Sequence, residues 1–505
     1  MKLNVKRNAK RNLAFGVINK IVLMIMPFVV RTVIRNTLGV QYLGLNSLFS
    51  SILQVLSVTE MGFSTAVIFN MYKPISEGDD AAVCALLNFY RKVYRIIGLC
   101  VLAIGFCLIP FLPHLISGTY PADANIMVLY LIYLFNSVVS YFLFSYLSSL
   151  LVAYQREDVN SIINLVVHVG LQVSQIAVLF FTRNYYLFII LMPVFTIIQN
   201  LWIGFIVKRM YPQYRCEGVL PREKIGEIKK LVGGTFIQKV CSVTRNSLDS
   251  ICISAFLGLT LTGVYNNYYS IFYSVTTLIT IVSTSLMGGI GNHVATKSAR
   301  ENFEELEAVD FLYMTLSGWC CVFLLCLSQP FMTVWMGKDM LLPFAVIMEM
   351  CLYFYVSHLG DMKLLYTSAN GLWWHHRWRS IVETLMNLVL NIGLGRLFGV
   401  YGIVAATIIS LLTCNFIWGT KITFNLYFKE INIRRYFIYQ GLYFFVNLIV
   451  CTVTYLVVSQ IRISNTLFEI GFRILVCLVI PGILYFVFYK KYRLARKALK
   501  YVTQR

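Results

Sequence analysis

Apolar residues in this chain run in long blocks, not in the alternation of a half-buried strand or the single stripe of a surface helix. A helix that crosses a bilayer needs about 20 mainly apolar residues. Fourteen blocks meet that length: 12–35, 41–70, 93–116, 126–153, 159–182, 185–207, 231–257, 262–290, 309–336, 342–368, 379–397, 399–426, 436–460 and 466–489. The polar stretches between them are short, and the longest, 208–230, holds Pro212 and Pro221. The first block follows a basic start and is too long for the apolar core of a signal peptide, which predicts a retained span. The pattern therefore predicts an all-α integral membrane fold of about 14 transmembrane helices. Little chain is left for a soluble domain.

Charge assigns the sides. Of 43 Lys and Arg, 31 fall in the termini and in every second connection, and five in the alternate ones. That bias predicts both termini in the cytosol, at a cytoplasmic membrane. The longest outer loop, near Ser117 to Asn125, is too short for an external catalytic domain. Over 505 residues, 58% are apolar and only 13% charged, with a mean hydropathy of +0.71. An average soluble protein is about 45–50% apolar and 25% charged, so a soluble globule and a disordered chain are both excluded. A net charge of +21 would point to nucleic acid in a soluble chain; here the charges flank lipid spans. The 13 cysteines are scattered, mostly inside apolar blocks, without a Cys-x-x-Cys pair. They are expected to pack, not to hold a metal or a disulfide framework.

An internal repeat runs at an offset of 219. Phe15 to Lys20 returns as Gly234 to Lys239, Leu38-Gly39 and Gly44 as Leu257-Gly258 and Gly263, and Ser51-Ile52 as Ser270-Ile271. An even number of spans per repeat keeps the orientation, so the halves are parallel repeats. The expected organisation is an N-lobe over 1–207, a basic linker over 208–230, a C-lobe over 231–426, and two further spans with a basic tail over 427–505. Two six-helix lobes would enclose a cavity between them.

Charged groups at membrane depth cost about 2.5–3.5 kcal/mol each on insertion scales. They should face a cavity, a partner or the interface. Span one carries Lys20 and Arg31, eleven residues apart and so on nearly one face; Arg31 either snorkels or faces the cavity. Span seven carries Lys239, the repeat partner of Lys20, with Arg245 and Asp249 spaced to pair at i,i+4. Glu60 in span two either pairs with a span-one cation or titrates. Asp361 and Lys363 are expected to snorkel at the end of span ten, with His358 three residues before Asp361 and able to bond it. The run Trp373 to Arg379 is expected to be an interfacial collar. No phosphate-binding loop, nucleophile elbow or His-Glu-x-x-His motif is present, so no enzyme activity is expected.

Several segments then resemble one family. Leu38-Gly39-Val40-Gln41-Tyr42-Leu43-Gly44-Leu45 is similar to the segment after the first span of polysaccharide-export flippases. Leu248-Asp249, Phe256-Leu257-Gly258 and Gly263-Val264-Tyr265 resemble the start of that family's second half. Ala369-Asn370-Gly371, Asn387, Asn391 and Gly399 to Ala406 resemble its span eleven to twelve region. The family is the Wzx-type group of the MOP superfamily, beside the lipid II flippases and the MATE exporters. The resemblance implies a MATE/MurJ-like pair of pseudo-symmetric six-helix lobes plus two C-terminal helices. It implies alternating access and an undecaprenyl-diphosphate-linked oligosaccharide as substrate, moved to the outer leaflet for capsule, O-antigen or exopolysaccharide synthesis.

On that reading Lys20, Arg31, Lys239 and Arg245 meet the diphosphate, and Tyr265, Asn266 and Tyr269 face the sugar. No cofactor is expected. An H+ or Na+ gradient coupled through Glu60, Asp249 or Asp361 is one expectation. A monomer is expected, with membrane lipids and a polysaccharide polymerase and chain-length regulator as partners. The alternatives are a MATE-like small-molecule exporter and a lipid II flippase.

Overall fold

The computed structural model describes residues 5–57, 63–460, 463, 465–490, 492, 494, 495 and 497. Their regular elements are helices. In chain order these are α1 (Val5–Thr37), α2 (Val40–Ser57), α3 (Phe63–Glu77), α4 (Asp80–Leu108), α5 (Ile126–Phe142), α6 (Ser148–Ala153), α7 (Glu157–Thr182), α8 (Tyr185–Met210) and α9 (Arg222–Leu257). Then follow α10 (Leu259–Thr296), α11 (Ala299–Trp335), α12 (Phe344–His358), α13 (Asp361–Ala369), α14 (Arg377–Phe398), α15 (Val400–Ser410), α16 (Gly419–Leu426), α17 (Ile433–Ser459) and α18 (Thr466–Tyr489). A π-helical stretch, Leu411–Trp418, joins α15 to α16.

The protein is an all-α membrane protein. Among the described residues, nine helices are long and apolar enough to cross a bilayer, or ten if α5 and the Ser145–Ala153 segment, bent by 51°, form one span. The described residues of the five expected spans outside the nine are largely helical as well. Those of α1 and α9 carry the charged residues at depth. Two of the other three are broken: α5 from α6, and α12 from α13, where Gly360 turns the chain at φ +83°; the third holds α2 and α3, with residues 58–62 outside the described ones. Hydropathy sees a continuous block in each, because the breaks contain few charges.

The chain forms two compact units, Met1–Gly263 and Val264–Arg505. In the first, α1 packs along α7, α5 and α7 along α8, and α2 along α9. In the second, α11 is central: it packs on α12, α17 and α18, while α14 packs closely on α15. Helix α9, which the sequence suggests as the opening of a second lobe, thus lies in the first unit with the start of α10.

The 219-residue repeat has a structural counterpart inside the first unit. Gly39, between α1 and α2, has φ +99°, and Gly258, between α9 and α10, has φ +89°. Side chains with a Cβ avoid that region. Just beyond, the starts of α2 and α10 cross. A Cβ on Gly44 would overlap the Leu259 carbonyl, and one on Gly263 would lie 3.0 Å from the Val40 carbonyl. The two contacts map onto each other under the same offset, so the crossing is a local pseudo-twofold.

Candidate functional site

In the first unit the candidate cations sit on α1 and α9, and both helices pack on α2. Lys20 and Lys239 are exposed, and Arg31 and Arg245 are half-buried. Arg31 turns into the pseudo-twofold crossing, where Nη2 donates to Ser47 Oγ and to the Gly263 carbonyl, each at 3.4 Å. Arg245 donates to Asn246 Oδ1 at 3.1 Å, and Asp249, one turn on, is buried. Ser247, between them, donates to Gln54 Oε1 of α2 at 3.3 Å, which fixes the rotation of α9 on α2. Glu60 lies outside the described residues.

The second unit holds the expected sugar-facing residues on α10. Tyr265 and Tyr269 stack with ring centroids 6.3 Å apart, and Tyr269 stacks on Tyr273 at 6.1 Å. Spacing of four residues makes this a ladder along one helix face. It runs from buried Tyr265 to Tyr273, which is 59% exposed. Asn266 is half-buried, with its carbonyl accepting from Ser270 Oγ. Tyr273 lies outside the set expected from the sequence; extending the four-residue step by one more turn finds it.

A larger feature outside the expected set is a buried polar network in the second unit. Lys363 is 1% exposed and donates to Thr420 Oγ1 at 2.8 Å, with its ammonium 5.9 Å from the Phe416 ring centroid. It does not snorkel. Asp361 accepts from Tyr313 Oη at 2.7 Å, while His358 turns Nδ1 to the Phe354 carbonyl at 2.7 Å instead of to Asp361. The expected collar is split. Trp374, His375 and Trp378 are exposed, but His376 and Arg379 point inward. Arg379 is 1% exposed; it pairs with Glu383 at 3.0 Å and donates to Asn415 Oδ1 at 2.6 Å. Asn415 belongs to the π-helical stretch, whose wide turn carries it to the guanidinium.

The polar stripe continues along α14. Asn387 Nδ2 donates to Thr407 Oγ1 of α15 at 2.9 Å, and Asn391 Nδ2 to Asn387 Oδ1 at 3.3 Å. Arg379, Glu383, Asn387 and Asn391 repeat every four residues, which is the signal that reveals the stripe in sequence. His376 lies before α14, with Nε2 3.4 Å from Thr423 Oγ1. Burial first, then Arg379, Lys363 and His375, push its imidazole down to about 3, so it is neutral at physiological pH. Among the described residues no group of three His, Cys, Asp or Glu is placed to hold a metal ion.

No protein-family model matches this chain, and no curated protein matches it. Solved structures do match in fold. Lipid II flippase MurJ in an inward closed conformation has a TM-score of 0.67 at 17% identity, over 95% of this chain and 99% of that one. An inward-facing multidrug resistance MATE transporter of the MOP superfamily has a TM-score of 0.59 at 13% identity, over 80% and 98%. A MOP superfamily transporter from Pyrococcus furiosus, described as having a binding pocket of reversed polarity, gives 0.54 at 12%, over 83% and 96%. The helical fold of this membrane protein is accordingly that of the MurJ and MATE structures.

Proposed function

We propose that this chain is a flippase that moves an undecaprenyl-diphosphate-linked oligosaccharide from the inner to the outer leaflet of a bacterial cytoplasmic membrane by alternating access. The observation that carries the reading is the pair of repeat-related lysines, Lys20 and Lys239. They stay exposed on two long helices of a fold shared with a lipid II flippase. A diphosphate requires positive partners, and lysine holds phosphate as a point charge. Arg31 and Arg245 would add to the same field, and Tyr269 and Tyr273, at the exposed end of the ladder, would offer ring faces to a sugar.

Both termini are placed in the cytosol on this reading, and an ion gradient drives the cycle. The polysaccharide pathway, with its polymerase and chain-length regulator, is inferred from the sequence resemblance. A MATE-like exporter is the second reading, favoured by the fold match to MATE transporters. The basic character of α1 and α9 weighs against a cationic drug.

The test is the double variant Lys20→Gln/Lys239→Gln in a strain that depends on this chain for its surface polysaccharide. Loss of the polymer, with the protein still in the membrane at its usual amount, is the expected outcome. Normal polymer in that strain would refute the assignment. Drug-resistance profiles of the same strains separate the exporter reading.

A further inference from the structure

Three acids descend one face of α11 at three-residue steps, and each meets a partner from the C-terminal part of the chain. Glu304 pairs with Lys497 at 3.0 Å. Glu307 pairs with Arg435 at 2.8 Å and lies 3.9 Å from Lys497. Asp310, the deepest, is 2% exposed, and its partner is the neutral amide of Gln440, whose Nε2 donates to Oδ2. The first two acids are matched by cations and the third is not. The other ionisable and hydroxyl groups around Asp310 are Lys363 and Asp361 of α13, Tyr355 of α12, and Tyr436 and Tyr443 of α17, with Glu307 and Tyr313 on its own helix. Lys363 donates one N–H to Thr420, and the Tyr313 hydroxyl donates to Asp361.

The Asp310–Gln440 pair leaves two acceptors without a donor. Asp310 Oδ1 and Gln440 Oε1 are both buried and have no hydrogen-bond partner. A buried acceptor left unpaired costs about 1–3 kcal/mol. Turning the amide over does not help, since it would set Oε1 against Oδ2 and lose the one donor. A single proton satisfies both atoms. Placed on Oδ1, it is donated to Oε1 while Nε2 continues to donate to Oδ2, which closes the two-bond ring of a carboxylic acid and a primary amide.

We propose that Asp310 and Gln440 form a proton-binding site in the second unit. Its ligand is one proton, taken from water at the Glu304–Glu307 end of α11 and released there or onward. Binding forms one O–H bond and removes one negative charge from the interior. The site deepens the flippase reading by naming the residue on which a proton gradient acts, and it rests on that reading only for the use made of the proton.

The test is infrared difference spectroscopy of the full-length protein in liposomes as pH is stepped, so no lipid substrate is involved. A carboxylic-acid carbonyl band that grows as pH falls and vanishes in Asp310→Asn is expected. That variant keeps an amide facing Gln440, so the fold is retained. Gln440→Lys should also abolish the band by holding Asp310 ionised. A band unchanged in both variants, no titrating band at all, or a response to sodium in place of pH would overturn the proposal. A band that behaves as expected in a chain that flips no lipid would leave this site standing and refute only the flippase reading.

Discussion

Two pairs of cations, one pair in each unit, are treated in opposite ways. On α1 and α9 of the first unit, Lys20 and Lys239 stay exposed. In the second unit Lys363 and Arg379 are almost fully buried, each within hydrogen-bond reach of a side chain that fits it. A buried, matched charge stabilises one arrangement and is costly to disturb. An exposed one at membrane depth gives the fold little, and its retention needs another account. The difference separates positions that hold the structure from positions open to a ligand, and it predicts that stability and transport respond to different residues.

The largest effect on stability should come from Arg379→Met, which leaves Glu383 buried without its cation. Breaking a buried pair from one side costs about 3–5 kcal/mol. Thermal unfolding of the purified protein should show that loss, and Arg379→Met/Glu383→Leu should recover most of it, since removing both charges leaves none uncompensated. A single variant as stable as the parent would place Arg379 with the exposed cations and erase the contrast.

Gly44→Ala should come next. Its Cβ would overlap the Leu259 carbonyl at the pseudo-twofold crossing, a backbone group that cannot swing away. Overpacking of that kind costs about 1–3 kcal/mol. Gly263→Ala meets the Val40 carbonyl at 3.0 Å and should cost less. Equal losses at the two sites would mean the crossing relaxes freely, and that Arg31, bonded to the Gly263 carbonyl, is not held by it.

A smaller, pH-dependent effect should follow His376. Its folded pKa, near 3, lies below the ordinary value of about 6.5. Above 6.5 neither state binds the proton and the contribution is complete. As pH falls from 6.5 toward 3, the unfolded chain binds a proton that the folded chain does not, so stability drops. His376→Gln should flatten this part of the curve of melting temperature against pH.

The sequence carries much of this, unevenly. The helical class and the Lys20–Lys239 correspondence are legible because hydropathy and a fixed offset survive without coordinates. The inward turn of Lys363 is not. It follows from the break at Gly360 between α12 and α13, and a linear reading places that lysine at a span end, where snorkelling is the simpler expectation. Arg379 is hidden for a related reason. It closes a run of Trp, His and Arg that resembles an interfacial collar, and only the start of α14 at Arg377 shows that it shares a face with Glu383 and Asn387. Asp310 is not legible in the sequence, because its significance lies in Gln440, a neutral residue 130 positions away.

The smallest stability effect is expected where the functional effect is largest. Lys20→Gln and Lys239→Gln remove charges from exposed side chains, and substitutions of that kind usually stay within about 0.5 kcal/mol. Melting temperatures should therefore hardly move, singly or together, while Lys20→Arg and Lys239→Arg keep the charge and should keep transport in part, because a guanidinium binds phosphate in a different geometry. If Lys20→Gln unfolded the protein as readily as Arg379→Met does, its ammonium would belong to the scaffold, and the diphosphate site would have to be sought away from the repeat-related pair.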